Sequence, residues 1–210
     1  MSRTAGILLI AVSLLLSGCG INHTVSKVIF DDIYRLKDAD NIEFAFSKDS
    51  MLVVSQKGIY ELAESSTGEP LLRICLADIS RELPEDYDFT EYRMKKQQKQ
   101  IILTLATDAF ELDANPMVLS YLEGEDGLLS GSAFEGVYQI GADTDSYQYL
   151  FEEDGSVVLQ IRQRYYADEG RITLSDHGGS TDYLYKAEED TLVIQNLKGE
   201  PILNLERMEE

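Results

Sequence analysis

Histidine, cysteine and tryptophan are nearly missing from this 210-residue chain, which holds two His, two Cys and no Trp. Two histidines exclude a His-rich zinc site, and no His-Glu-x-x-His ligand pair occurs. Two cysteines, Cys19 and Cys75, cannot build the multi-bridge framework of a small exported scaffold. Bases are scarce as well: 18 Lys and Arg face 38 Asp and Glu, a formal charge of −20. Nucleic acid is thereby excluded as a partner, because phosphate binding needs clustered cations. An unassisted dock on an anionic lipid surface is disfavoured for the same reason. With four Pro and 15 Gly the chain is neither low-complexity nor collagen-like. No apolar run reaches the roughly 20 residues of a transmembrane helix. The hydrophobic share of 44% is that of a globular chain, not of an acidic disordered one.

What is present begins with the first 18 residues, MSRTAGILLIAVSLLLSG. Arg3 is their only charge, and the apolar run from Gly6 to Leu16 has the length of a secretory signal. Leu16-Ser17-Gly18-Cys19 follows and resembles the box at which bacterial lipoproteins are cut and acylated. The resemblance implies that residues 1–18 are a removed signal peptide and that Cys19 carries lipid. Residues 19–29 then form the lipidated Cys and its tether, and the protein sits outside the cytoplasm at the cell membrane or outer membrane. An acidic body is repelled by anionic headgroups, so the acyl chains must do the holding. Cys75 lies in Leu71-Leu72-Arg73-Ile74-Cys75-Leu76, where a thiol behaves as a small buried hydrophobe. A nucleophilic role would require a nearby His and a positive setting.

The chain also repeats itself. Phe30-Asp-Asp-Ile33-Tyr34-Arg-Leu36 matches Phe134-Glu-Gly-Val137-Tyr138-Gln-Ile140 at an offset of 104. Glu43-Phe44-Ala-Phe46 with Asp49 and Leu52-Val53 matches Gln148-Tyr149-Leu-Phe151 with Asp154 and Val157-Val158 at 105. Tyr92 to Leu103 resembles Tyr183 to Ile194, and Pro116–Leu119 resembles Pro201–Asn204. Four matched blocks in one order define two β units, 30–122 and 134–210. The Gly-, Ser- and acid-rich residues 123–133 read as their linker.

Within the second unit, Ser146–Phe151 and Ser156–Ile161 are β-rich runs around Glu152-Glu153-Asp154-Gly155, a hairpin signal because Gly accepts positive φ. Arg171–Leu174, Asp182–Lys186, Thr191–Ile194 and Ile202–Leu205 supply further strands, with Pro201 where no ladder N–H is lost. The first unit follows the same plan. After Pro70, the spacing of Leu72, Cys75, Leu76 and Ile79 sets a short helix against a strand. Arg93–Gln100 reads as a basic, solvated hairpin turn, with a lipid-headgroup or acidic-neighbour contact as the sharper alternative. The expected fold class is mainly β: two tandem small antiparallel meanders, each a barrel or sandwich. The order Phe-x-Gly-x-Tyr, Phe-x-x-Asp-Gly, Gly-x-Ile and Asp-Thr-Leu-x-Ile resembles small lipocalin-like domains of bacterial lipoproteins. Those often carry Gly-x-Trp in the first strand, where this chain has Gly136-Val137-Tyr138. The resemblance implies a cup able to hold a small apolar ligand.

Catalytic patterns are thin. Ser175-Asp176-His177 are sequence neighbours whose side chains diverge, no Gly-x-Ser-x-Gly elbow exists, and no phosphate-cradling Gly loop with Lys occurs. Asp143-Thr-Asp145 followed by Tyr147 and Gln148 fails the calcium-loop pattern. No metal, cofactor or catalytic residue is therefore expected. The second unit holds seven of the 12 Tyr, and the i, i+2 pairs Tyr147/Tyr149 and Tyr183/Tyr185 each share a sheet face. They either pack across strands or wall a binding face. The expected function is a non-enzymatic, lipid-anchored ligand-binding or envelope-interaction module, its partners being the membrane and a small apolar ligand or envelope protein. A cell-wall or lipid-processing enzyme with a carboxylate pair is the alternative.

Overall fold

A computed structural model describes residues 28, 30–78, 87–97, 99–106, 116–123, 135–141, 147–176 and 178–209. All regular elements there are strands, fourteen of them. The first seven are β1 (Ile33–Leu36), β2 (Ala39–Phe46), β3 (Met51–Glu64), β4 (Pro70–Cys75), β5 (Thr90–Gln97), β6 (Gln100–Leu105) and β7 (Met117–Glu123). The second seven are β8 (Gly136–Ile140), β9 (Tyr147–Phe151), β10 (Ser156–Asp168), β11 (Arg171–Asp176), β12 (Gly179–Ala187), β13 (Thr191–Gln195) and β14 (Pro201–Arg207). Each strand pairs antiparallel with the next in the chain, β14 returns to β1, and β3 also pairs with β10. The meander expected from turn spacing is thus present, and the chain is mainly β.

Two compact units follow: Lys57–Gln160, and the residues up to Gln56 together with those from Ile161 onward. Neither coincides with 30–122 or 134–210. The reason lies in β3 and β10, 14 and 13 residues long, which run past the cut points instead of ending at them.

The mid-chain unit, 57–160, contains the end of β3, β4 to β9 and the start of β10. Its core is Tyr60, Leu72, Ile74, Ile101, Leu103, Leu119, Tyr138, Tyr149, Phe151 and Val157. The period-two alternation of β-strands puts these on one face: Ile101, Leu103 and the row Leu119, Ile101 opposed across β6 and β7. The segment after Pro70 is strand, not helix, because β4 is paired on both sides, Leu72 opposite Leu62 and Tyr92. The cations Arg93, Lys95 and Lys96 belong to β5 and pair onto β6, so they are strand residues and not the expected basic turn.

In the unit formed by the residues up to Gln56 and those from Ile161, β1 pairs with β14, Tyr34 opposite Arg207 and Leu36 opposite Leu205. The Arg207 guanidinium forks onto the Asp32 carboxylate beside that ladder, with Nε donating to Oδ1 at 3.0 Å. Its buried side chains include Ile42, Phe44, Phe46, Leu52, Val54, Ile161, Tyr165, Ile172, Tyr183, Leu192 and Ile194.

Candidate functional site

The four tyrosines singled out by their spacing do not share one unit. Tyr147 and Tyr149 lie on β9 in the mid-chain unit, whereas Tyr183 and Tyr185 lie on β12 in the other. Each pair splits alike, one ring buried and one half-buried. Tyr149 is 5% exposed and packs 5.5 Å from Phe151 at a 35° tilt. Burial, with a smaller push from neighbouring Tyr92, raises its hydroxyl well above the ordinary tyrosine value. Tyr183 sits opposite Ile172, and burial pushes its pKa up to about 12 against a small opposing pull from a Thr181 hydrogen bond. Tyr185, opposite Ile194, stays half-buried with its pKa raised chiefly by burial. Phe30 meets its ring edge-on at 5.3 Å and 81°.

The tyrosine that sequence spacing passed over is Tyr165 on β10. Its hydroxyl accepts from the Phe30 N–H at 2.9 Å and shares its proton between the carbonyls of Phe30, 2.9 Å, and Ser47, 3.0 Å. Phe30, buried, packs 5.3 Å from Phe46 and 5.9 Å from Tyr165. Val28 adds a bridge to Ala167, its N–H donating to the carbonyl at 3.2 Å. The chain leaving the expected tether is therefore seated in an aromatic socket of its own unit. A lone Tyr between Arg164 and Tyr166 carries no sequence signal for that role, because all three anchoring groups come from distant positions.

The remaining described candidates lie in the core, in turns or across a ladder. Cys75 is fully buried at the end of β4. Asp176 caps a turn, its Oδ1 accepting from the N–H groups of Gly178 at 2.7 Å and Gly179 at 3.1 Å. Ser175 and Ser180 oppose each other with hydroxyls 2.8 Å apart. Asp154 likewise caps the β9–β10 turn, and its hydrogen bonds to Ser156 hold its pKa below the usual carboxylate value. Cys19, Asp143, Asp145, His177 and the core of the expected linker lie outside the described residues. Among the described residues, no three His, Cys, Asp or Glu side chains are grouped to hold a metal ion, and no helix is long and apolar enough to cross a membrane.

In comparison with known proteins, no family model matches this chain, and no curated protein or solved structure is detectably similar to it.

Proposed function

We propose that this chain is a lipid-anchored extracytoplasmic protein that works by non-covalent binding at the cell envelope, not by catalysis. The observation carrying this reading is Leu16-Ser17-Gly18-Cys19 placed directly after an apolar run of signal length. The charge of −20 supports it, since such a body needs an acyl anchor to stay at an anionic surface. On this reading residues 1–18 are removed, Cys19 carries the lipid, and the following residues to 29 are the tether. The β units act as lipocalin-like modules. Half-exposed Tyr147 and Tyr185, each two residues from the buried Tyr149 or Tyr183, offer aromatic area to a small apolar ligand or an envelope protein. A Tyr ring brings large contact area at small entropic cost.

Lipidation is tested in a bacterial host fed a labelled fatty acid. The full chain should take up label and sediment with membranes, and Cys19→Ala should do neither. An unlabelled, membrane-free full chain overturns the anchor. For the binding face, Tyr147→Ala or Tyr185→Ala should weaken capture of a fluorescent fatty acid about tenfold, the worth of a contact near 1.4 kcal/mol. Equal loss of capture and of melting temperature would return these rings to a packing role.

A further inference from the structure

The hydrogen bonds of β3 and β10 repeat at the offset found in the sequence. The Tyr60 N–H donates to the Gly155 carbonyl at 2.8 Å, and the Tyr165 N–H donates to the Ser50 carbonyl at 2.9 Å. Adding 105 to 60 and 50 gives 165 and 155, so these two bonds are one bond seen twice. The hydroxyls agree: Tyr60 donates to the Glu152 carbonyl at 3.0 Å and Tyr165 to the Ser47 carbonyl at 3.0 Å, again 105 apart. Ring packing agrees as well, Tyr60 edge-on to Phe151 at 5.1 Å and 84°, Tyr165 edge-on to Phe46 at 5.3 Å and 83°. Even the turns correspond, with Ser50 N–H on the Ser47 carbonyl at 3.0 Å and Gly155 N–H on the Glu152 carbonyl at 3.1 Å.

Each tyrosine contact links one repeat to the other. Tyr60 belongs to the first repeat and docks on the turn of the second, and Tyr165 of the second docks on the turn of the first. The unit boundaries, after Gln56 and after Gln160, also fall 104 residues apart. The mid-chain unit takes the end of β3 and β4 to β7 from the first repeat, then β8, β9 and the start of β10 from the second. Four of its ten core side chains, Tyr138, Tyr149, Phe151 and Val157, come from that second repeat. Its β7–β8 ladder and the other unit's β14–β1 ladder each pair one repeat with the other.

We infer that each seven-strand repeat is an incomplete half that only the other repeat completes, and that this chain carries both repeats with their halves exchanged. The first three strands of one copy complete the last four of the other, twice. Association of two half-modules is thereby made intramolecular, and their covalent connection raises their effective concentration.

The test cuts the full chain after folding, at a specific protease site inserted between Gly127 and Leu128. Exchanged repeats should co-elute at the mass of the uncut chain and keep their β-sheet circular dichroism. Separated in denaturant and returned singly to buffer, each piece should lose that signal, and mixing should restore it. Two pieces that part as folded species, or that refold singly, would overturn the inference. Should the insertion prevent folding, nuclear Overhauser contacts in the uninserted chain decide. The amide protons of Tyr165 and Tyr60 should lie next to the α-protons of Met51 and Ser156, and absence of both contacts refutes the exchange.

Discussion

Ser50 and Gly155 occupy equivalent turn positions with φ of 59° and 87°, and Ser50 is the one non-glycine residue with positive φ among those described. A left-handed conformation costs an L-residue about 1–2 kcal/mol, partly offset by the greater freedom glycine loses on folding. Ser50→Gly should therefore raise stability by a few tenths to about 1 kcal/mol. Gly155→Ala should lower it by about 1 kcal/mol, since its Cβ would meet only the Tyr60 carbonyl at an ordinary 3.5 Å and the backbone angle alone is at fault. Calorimetric melting of the two variants checks both signs, and a shift in the same direction for both would contradict the account. The two anchoring tyrosines are unequal. Tyr165→Phe strands the buried Phe30 N–H and two carbonyls and should cost about 2–3 kcal/mol, against about 1 kcal/mol for Tyr60→Phe, which removes the hydroxyl's bond to the Glu152 carbonyl. Urea midpoints in equal order for the pair would refute this ranking. The Asp154-Gly155 turn was readable from residue type alone, whereas Ser50 was not, because serine does not announce a positive φ.

Strand β3 passes β4 so closely at Gly58 that a Cβ there would stand 2.1 Å from the Cys75 carbonyl oxygen. That oxygen is main chain and cannot rotate away, so the two strands must separate to admit a methyl group. Gly58→Ala should cost about 3 kcal/mol or more, at the upper end of overpacking penalties. Denaturant unfolding measures it, and a loss under 1 kcal/mol would mean that the ladder yields. Elements with turn punctuation were legible: the hairpin at Glu152–Gly155, the strand beginning at Pro201, the paired strands at Asp182–Lys186 and Thr191–Ile194. The continuation of β10 from Ile161 to Asp168 was not. Its alternation is carried by Gln163, Tyr165 and Ala167, all buried, between exposed Arg162, Arg164 and Asp168, and a buried Gln or Ala does not stand out as apolar. The strand after Pro70 was ambiguous for a related reason. Leu71, Leu72, Ile74 and Cys75 are buried on both faces, which erases the period-two pattern that distinguishes strand from helix.

For the whole molecule, tyrosine burial sets an alkaline limit. Six tyrosines, at 34, 92, 149, 165, 183 and 185, have pKa values raised from 10.0, chiefly by burial. Below pH 10 all are neutral in both states and their contribution is fully present. Above it the unfolded chain ionises while folded Tyr183, near 12, keeps its proton, so the unfolded state gains. Stability should fall as pH rises from 10 through about 12, with tyrosinate absorbance appearing together with loss of β-sheet signal. Gradual tyrosinate formation with the fold intact would refute it.

Strand content, most turns, the duplication at 104–105 residues and the buried character of Cys75 were determined by the sequence, because each is written in neighbouring side chains. Which strands meet was not. Both repeats carry the same alternation of buried and exposed positions, and that pattern states which face of a strand leaves water without stating which copy covers it. Closure within a repeat and closure between repeats satisfy it equally. Only the tertiary structure decided, by carrying β3 and β10 past the point where a tandem arrangement would stop, so that Tyr147 and Tyr149 joined one unit and Tyr183 and Tyr185 the other.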